Sequence, residues 1–311
     1  MRIPMTWIVR TAVLFTFTFL LSVDALAAPD TVTVHVAGYT YSPFVTTSLA
    51  SASDLDLDAS GNLYFCKGGD IRRISPQGIE APWSLAPAVD LVFTSSGTAY
   101  GVGTACQCVL SIAGDGSATT LHADSSQWRW TAHSGSGTLY ASTIGLLGAR
   151  LYTVDPQTGT PTLIINGGPG PAGSGIYEGL LVGLDGKLYA NGTDGSPSGW
   201  GVFRLDGDQF VKVGSFPNGG FELAQDNQSL FYTVTTVERF NGPGHEVWQT
   251  DPNTGLSTLL ADGPHPASCV AFDRQSDRLY VGDNLGTIYI IEKGPTPTRR
   301  ETWGAVKSKY R

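Results

Sequence analysis

The sequence predicts an all-β fold, a six-bladed β-propeller of four-stranded blades closed by an N-terminal strand that completes the last blade. Three observations lead there. The first is a recurring phrase: "SGNLY" ending at Tyr64, "SGTAY" at Tyr100, "SGTLY" at Tyr140, "DGKLY" at Tyr189, "DNQSLF" at Phe231 and "SDRLY" at Tyr280, in steps of 36, 40, 49, 42 and 49 residues. Self-similarity at 40–50 residues with strands in every unit is how a propeller repeats. The second is composition. With 39 Gly, 18 Pro and only 15% charged residues, the chain is rich in turns, and Thr, Val, Tyr and Leu fill its apolar stretches. The third is the pair of near-identical turns "DPQTGT" and "DPNTGL", in which Asp opens the turn, Pro presets φ and Gly closes it.

Taken from the N-terminus, residues 1–27 read as a signal peptide. Arg2 and Arg10 form a positive start, "TAVLFTFTFLLSV" an apolar core, and "ALA" a small-x-small cleavage site near Ala27. A secreted or periplasmic protein is therefore expected, with no integral membrane segment after removal of the leader. "TVTVHVAGY" (Thr31–Tyr39) alternates as a strand should and stands before the first blade. Each unit over residues 28–293 then follows one order: an inner strand such as "DLDLD" or "CVAFD", a polar turn, the aromatic strand, a third strand such as "DIRRIS", and a fourth such as "LSTLLAD". The sixth unit runs out after "GTIYIIEKG", so Thr31–Tyr39 is expected to supply its missing outer strand and protect the edges of the ring. Residues 294–311 form a basic tail in which Trp303, Val306 and Tyr310 fall at the spacing of a short amphipathic helix.

The net charge is −8 for the chain and −13 for residues 28–293, which argues against a nucleic-acid partner because phosphate binding needs a basic stripe. The four cysteines (Cys66, Cys106, Cys108, Cys269) follow the leader, where disulfides form, and three full pairings are open to them. "NGT" at Asn191 and "NQS" at Asn227 are glycosylation acceptors in a eukaryotic source. No phosphate-cradling Gly loop and no "GxSxG" elbow occurs.

Blade one, "DLDLDASGNLYFCKGGDIRRIS", resembles the repeats of NHL-repeat and gluconolactonase-like six-bladed propellers, and the other units follow it more loosely. That resemblance implies the fold; propellers of this kind serve lactonases, lyases and binding modules alike. It also implies a Ca²⁺ or other divalent-metal site held by oxygen ligands at the channel mouth. No complete catalytic set carries over, because Thr131 and Gly179 stand where the family has Asn ligands.

In propeller geometry the long, irregular connections all open on one face, where variable loops on a rigid scaffold bind ligands. Trp128, Trp130, Tyr177, Trp200, Arg239 and His245 are the expected ligand-binding residues there, for a small molecule, a glycan or a protein. Acidic residues Asp54, Asp90, Glu178 and Glu222 open inner strands and are the candidate metal ligands. Asp90, Glu178 and Glu222 with His133 and His265 are candidate catalytic groups for ester or lactone hydrolysis. The alternative role for Asp54 and Asp90 is to accept local backbone N–H bonds at the blade entrances. Two readings follow: an exported, monomeric binding module acting through the long-loop face, or a divalent-metal-dependent hydrolase or lyase.

Overall fold

The computed structural model describes residues 32–48, 52–67, 69–144, 149–169, 175–196, 199–239 and 242–294. The expected leader over residues 1–27 and the expected tail helix after 294 lie outside them. The described residues form six sheets around one axis. The inner strands are β3 (Asp54–Leu57), β7 (Asp90–Phe93), β11 (Gln127–His133), β15 (Ile176–Val182), β19 (Gly220–Gln225) and β23 (Ala267–Asp273). Each contacts the next and β23 contacts β3, so the circle closes. Outward from them run the aromatic strands β4 (Leu63–Lys67), β8 (Ala99–Gly103), β12 (Leu139–Ile144), β16 (Leu188–Thr193), β20 (Phe231–Arg239) and β24 (Arg278–Asp283), followed by third and fourth strands. No helix among the described residues is long and apolar enough to cross a membrane.

The recurring phrase is a turn and a clasp. In the first blade Asp58 Oδ1 accepts the N–H groups of Ser60 and Asn62, and Oδ2 accepts the Tyr64 hydroxyl at 3.0 Å. Gly61 takes φ +74° to close the turn, a conformation that costs Gly little. The clasp recurs from Tyr189 to Asp185 and from Tyr232 to Asp226. In blade five the left-handed position falls to Ser229 (φ +68°), and Gln225 pairs with Phe231 as Leu57 pairs with Leu63. The residue equivalent to Tyr64 there is consequently Tyr232, one place after the aromatic chosen from the sequence. These rings fill the wedges between blades: Tyr64 packs on Phe93 of the next blade at 4.4 Å, and Tyr189 on Phe231 at 4.4 Å.

The ring closes through the N-terminal segment in a shifted register. β2 (Tyr39–Thr46) pairs antiparallel with β25 (Thr287–Lys293) and completes blade six. The earlier residues form β1 (Thr33–Val34), a fifth strand on β22 (Ser257–Gly263) of blade five. Gly38, at φ +88°, turns the chain from one blade to the other, so the segment staples blades five and six together. Pro43 is tolerated because β2 is an outermost strand and bulges there. Tyr41 is buried, packs on Tyr289 at 5.2 Å and donates its hydroxyl to His245 Nε2 at 2.5 Å. His245 Nδ1–H in turn donates to the His265 carbonyl, which fixes the neutral tautomer that leaves Nε2 as acceptor.

Tyr41→Ala is expected to cost about 3–5 kcal/mol, the range for deleting a buried aromatic. Urea denaturation checks it; a loss below about 1 kcal/mol would mean that ring closure does not depend on this contact.

Candidate functional site: a carboxylate cluster in the central channel

The inner strands lack a partner on the channel side, and their amide groups need acceptors. Blade one supplies them to blade two: Asp54 Oδ2 accepts Leu91 N–H at 2.7 Å and Asp56 Oδ2 accepts Phe93 N–H at 2.8 Å. Blade two supplies blade three, where Asp90 Oδ2 accepts Thr131 N–H at 2.6 Å and its hydroxyl at 2.5 Å. The local-bonding role of Asp54 and Asp90 is therefore real, and it acts between blades.

The same side chains converge. Carboxylate oxygens of Asp54, Asp90 and Glu222 lie within 4.8 Å of one another, all three residues buried. Glu222 arrives from the opposite side of the channel on a bulge of β19, at φ +53°, a left-handed conformation uncommon for Glu. Its surroundings hold it there. Its carbonyl accepts Asn191 Nδ2–H at 2.9 Å and the Thr233 hydroxyl at 2.9 Å. Gly179 faces its backbone, and a Cβ on Gly179 would sit 2.9 Å from Glu222 Cα. One oxygen of the cluster, Glu222 Oε2, is buried without an N–H or hydroxyl donor among the described residues, and the Glu222 and Asp54 carboxyl groups are close enough to share a proton in a hydrogen bond. Asn191, the possible glycosylation acceptor, is fully buried in this support.

Burial is the main reason all three carboxyl groups resist ionisation, and mutual repulsion adds to it for Asp54 and Glu222. Asp90 is pushed up to about 8 by burial despite its bonds to Thr131. Asp56, two residues along β3 on the same face as Asp54, is pushed up to about 7, again by burial. Arg129 offsets the rise at Asp90 and at Glu178 only in part. The thiols of Cys66, paired across from Asp54, and Cys269 are raised by burial and by these acids, so both stay protonated.

A cavity of about 270 Å³ leads away from the cluster, lined by Asp54, Asp56, Thr131 and Glu222 at its inner end. Its walls are Leu57, Phe93, Val182 and Phe272, and His133, Gln225 and Arg274 stand at the far end of the inner strands. Exposure rises along that path, from the buried cluster to half-buried His133 and exposed Arg274. The cavity thus opens toward the short turns. Part of the long-loop face (49–51, 68, 145–148, 170–174, 197–198 and 240–241) lies outside the described residues.

Three of the four metal candidates meet. Glu178 does not join them: β15 bulges between Tyr177 and Gly179, which places Gly179 opposite Asn191, and Glu178 is half-buried with Arg129 as its charged neighbour. His133 lines the cavity, stacked on Tyr100 at 5.7 Å, and burial lowers its pKa. His265 contributes its carbonyl to His245 and does not line the cavity. The expected aromatic surface needs correction. Trp128, Trp130, Tyr177 and His245 are all buried, with polar atoms bound internally: Trp128 Nε1–H to Asp124, Trp130 Nε1–H to the Tyr177 carbonyl, and the Tyr177 hydroxyl to the Gly167 carbonyl. They fill wedges between blades, where large rings bury most area. Trp200 is half-buried against Gly219, and the Arg239 side chain lies outside the described residues. Of the cysteines, Cys106 and Cys108 are bonded to each other, and Cys66 and Cys269 are free. Asp56, Gln225 and Arg274 were not foreseen; alternation in "DLDLD" was the available signal for Asp56, since i and i+2 share a face.

No family model matches the sequence, and no curated protein matches it. Solved structures do match. A gluconolactonase from Xanthomonas campestris superposes with TM-score 0.67 at 13% identity, over 86% of this chain and 96% of that one. A virginiamycin B lyase from Staphylococcus aureus gives 0.57 at 11% identity, over 82% and 99%. A luciferin-regenerating enzyme gives 0.60 at 13% identity, over 83% and 98%. The likeness is one of fold.

A pH dependence follows. Carboxyl groups whose pKa is raised on folding favour the folded state below their unfolded values near 4, and that contribution is lost as pH rises through the folded values, about 7 for Asp56 and about 8 for Asp90. Cation-free protein should therefore melt at progressively lower temperature from pH 5 to pH 8. A flat or rising profile in calorimetry would contradict the buried cluster.

Proposed function

We propose that the protein is a divalent-cation-dependent hydrolase of ester or lactone bonds, working in the central cavity. The observation that carries this reading is the buried Glu222 Oε2, which no N–H or hydroxyl reaches among the described residues, within three converging carboxylates. A buried carboxylate oxygen without a donor is costly, and a hard cation satisfies it. The donor set fits: all oxygen, acidic, and contributed by blades one, two and five. Asp54, Asp90 and Glu222 would hold the ion. Bound there, a divalent cation supplies a Lewis acid that polarises a carbonyl oxygen and lowers the pKa of water.

The chain's own groups supply the remainder. Asp56, held by two amide donors and poised near neutral pH, stands on the cavity side of the ligands as general base. Water adds to the acyl carbon and gives its proton to Asp56; the bond to the leaving oxygen breaks, and the proton passes to that oxygen. Leu57, Phe93, Val182 and Phe272 line part of the passage beside these polar groups. The hydrolase and lyase neighbours of the same fold make the class reasonable, and the burial of Trp128, Trp130, Tyr177 and His245 disfavours the binding-surface alternative. The chain is proposed to act outside the cytoplasm, with residues 1–27 as a leader, as a Cys106–Cys108 disulfide would suit.

Ca²⁺, Mg²⁺ or Mn²⁺ is expected to raise the melting temperature, by the equivalent of about 2.7 kcal/mol at a hundredfold excess over Kd. Screening short lactones and aryl esters with and without chelator tests the activity; turnover insensitive to chelation would overturn the reading. Glu222→Gln separates binding from stability. It should stabilise the cation-free protein at pH 8, by about 1.4 kcal/mol for each pKa unit of repulsion and burial relieved. The same change should weaken cation binding at least tenfold in calorimetric titration. A variant that loses stability without cation and keeps its affinity would place the ion elsewhere.

A further inference from the structure

Arg274 is the only Lys or Arg side chain that lines the central cavity among the described residues, and it stands at the end opposite the carboxylate cluster. Its position is built. Asn227 Nδ2–H holds the Arg274 carbonyl at 2.9 Å, and Arg274 Nε–H reaches the Gln225 carbonyl at 3.4 Å. Phe272, two residues before it, stacks on Tyr232 of the neighbouring blade with rings 4° from parallel. Arg274 makes no ion pair and no hydrogen bond through its terminal guanidinium nitrogens among the described residues. The nearby Asp226 carboxylate is already occupied by Gln228 N–H, Leu230 N–H and the Tyr232 hydroxyl. The guanidinium fork is therefore available to a ligand, and it suits a carboxylate held by two parallel bonds.

From the level of Asp54 to that of Leu57 is three strand steps, about 10 Å. A divalent cation on the cluster would offset two of its three carboxylate charges and offer a Lewis-acidic contact for an oxygen at the inner end, opposite the Arg274 guanidinium.

We propose that the cavity selects acyl compounds that carry a second, anionic group, with the reacting carbonyl at the cluster and a terminal carboxylate on Arg274. This names the substrate class of the hydrolase proposed above and rests on that reading for its inner end. Arg274 is a specificity residue; it touches no reacting atom. The matching products are hydroxy acids or dicarboxylates about six carbons long, the length that spans about 10 Å with a hydrogen bond at one end and a cation contact at the other.

Adipate is the probe and hexanoate its one-ended control, titrated by calorimetry into Ca²⁺-loaded protein and into chelated protein. Adipate should bind the loaded protein at least tenfold more tightly than hexanoate. Arg274→Gln should erase that margin while leaving hexanoate affinity and Ca²⁺ affinity unchanged, and Arg274→Lys should restore part of it. Because Arg274 is exposed, neither variant threatens the fold. Equal binding of adipate and hexanoate, or an adipate affinity indifferent to Arg274→Gln, overturns the proposal. Failure of Ca²⁺, Mg²⁺ and Mn²⁺ to bind overturns the hydrolase reading instead; adipate binding that still vanishes in Arg274→Gln then supports the anion site alone, and adipate binding that does not vanish removes both.

Discussion

Asp54 and Asp90 each do two things that pull against one another. As acceptors for the amides of Leu91 and Thr131 they tie blade one to blade two and blade two to blade three. As neighbours in the channel they bring like charges together in a place that water barely reaches. Hydrogen bonds favour the ionised form, and burial and repulsion disfavour it; for Asp90 burial wins. A propeller needs the ties, because inner strands have an open edge at the axis. It does not need Glu222 as the third acid. That residue arrives at a left-handed φ, supported by Asn191, Thr233 and the missing side chain of Gly179, and backbone strain maintained by so many partners is characteristic of a site.

The rest of the cavity follows from that arrangement. Alternation along β3 puts Asp56 on the face of Asp54, within the passage, and the inner strands end in side chains that line the exit. A cation is one means of relieving the inner end, and protons, which burial holds on these carboxyl groups up to about pH 8 at Asp90, are the other. Closure of the ring by β1 and β2 keeps the blades in the register that the cluster requires, with His245 and Tyr41 joining blade five to blade six at the periphery.

Much of the fold was legible in the sequence because turn chemistry is local. Gly61, Gly97, Gly137 and Gly186 take the positive φ that the repeated phrase demands, and Gly159 and Gly255 do so in the "DPxTG" turns. Legibility ended where a non-glycine carried the same conformation: Ser229 hid the register of blade five and passed the aromatic position to Tyr232. The site divides similarly. Acids at strand starts pointed to Asp54, Asp90 and Glu222, but the bulges that admit Glu222 and exclude Glu178 depend on packing across the channel, with no local signal. The aromatics misled because Trp128 and Trp130 belong to irregular entries into β11 yet turn inward to fill the wedge between blades. Arg274 looked like a turn residue; only the closed ring brings it to the channel.

Anomalous diffraction from crystals grown with Mn²⁺ tests the central claim most directly. A single strong peak bonded to Asp54, Asp90 and Glu222, including Oε2 of Glu222, is the predicted result. A channel with no peak at the cluster, under conditions where Mn²⁺ binds elsewhere on the molecule, would contradict it and leave these acids as ties between blades alone.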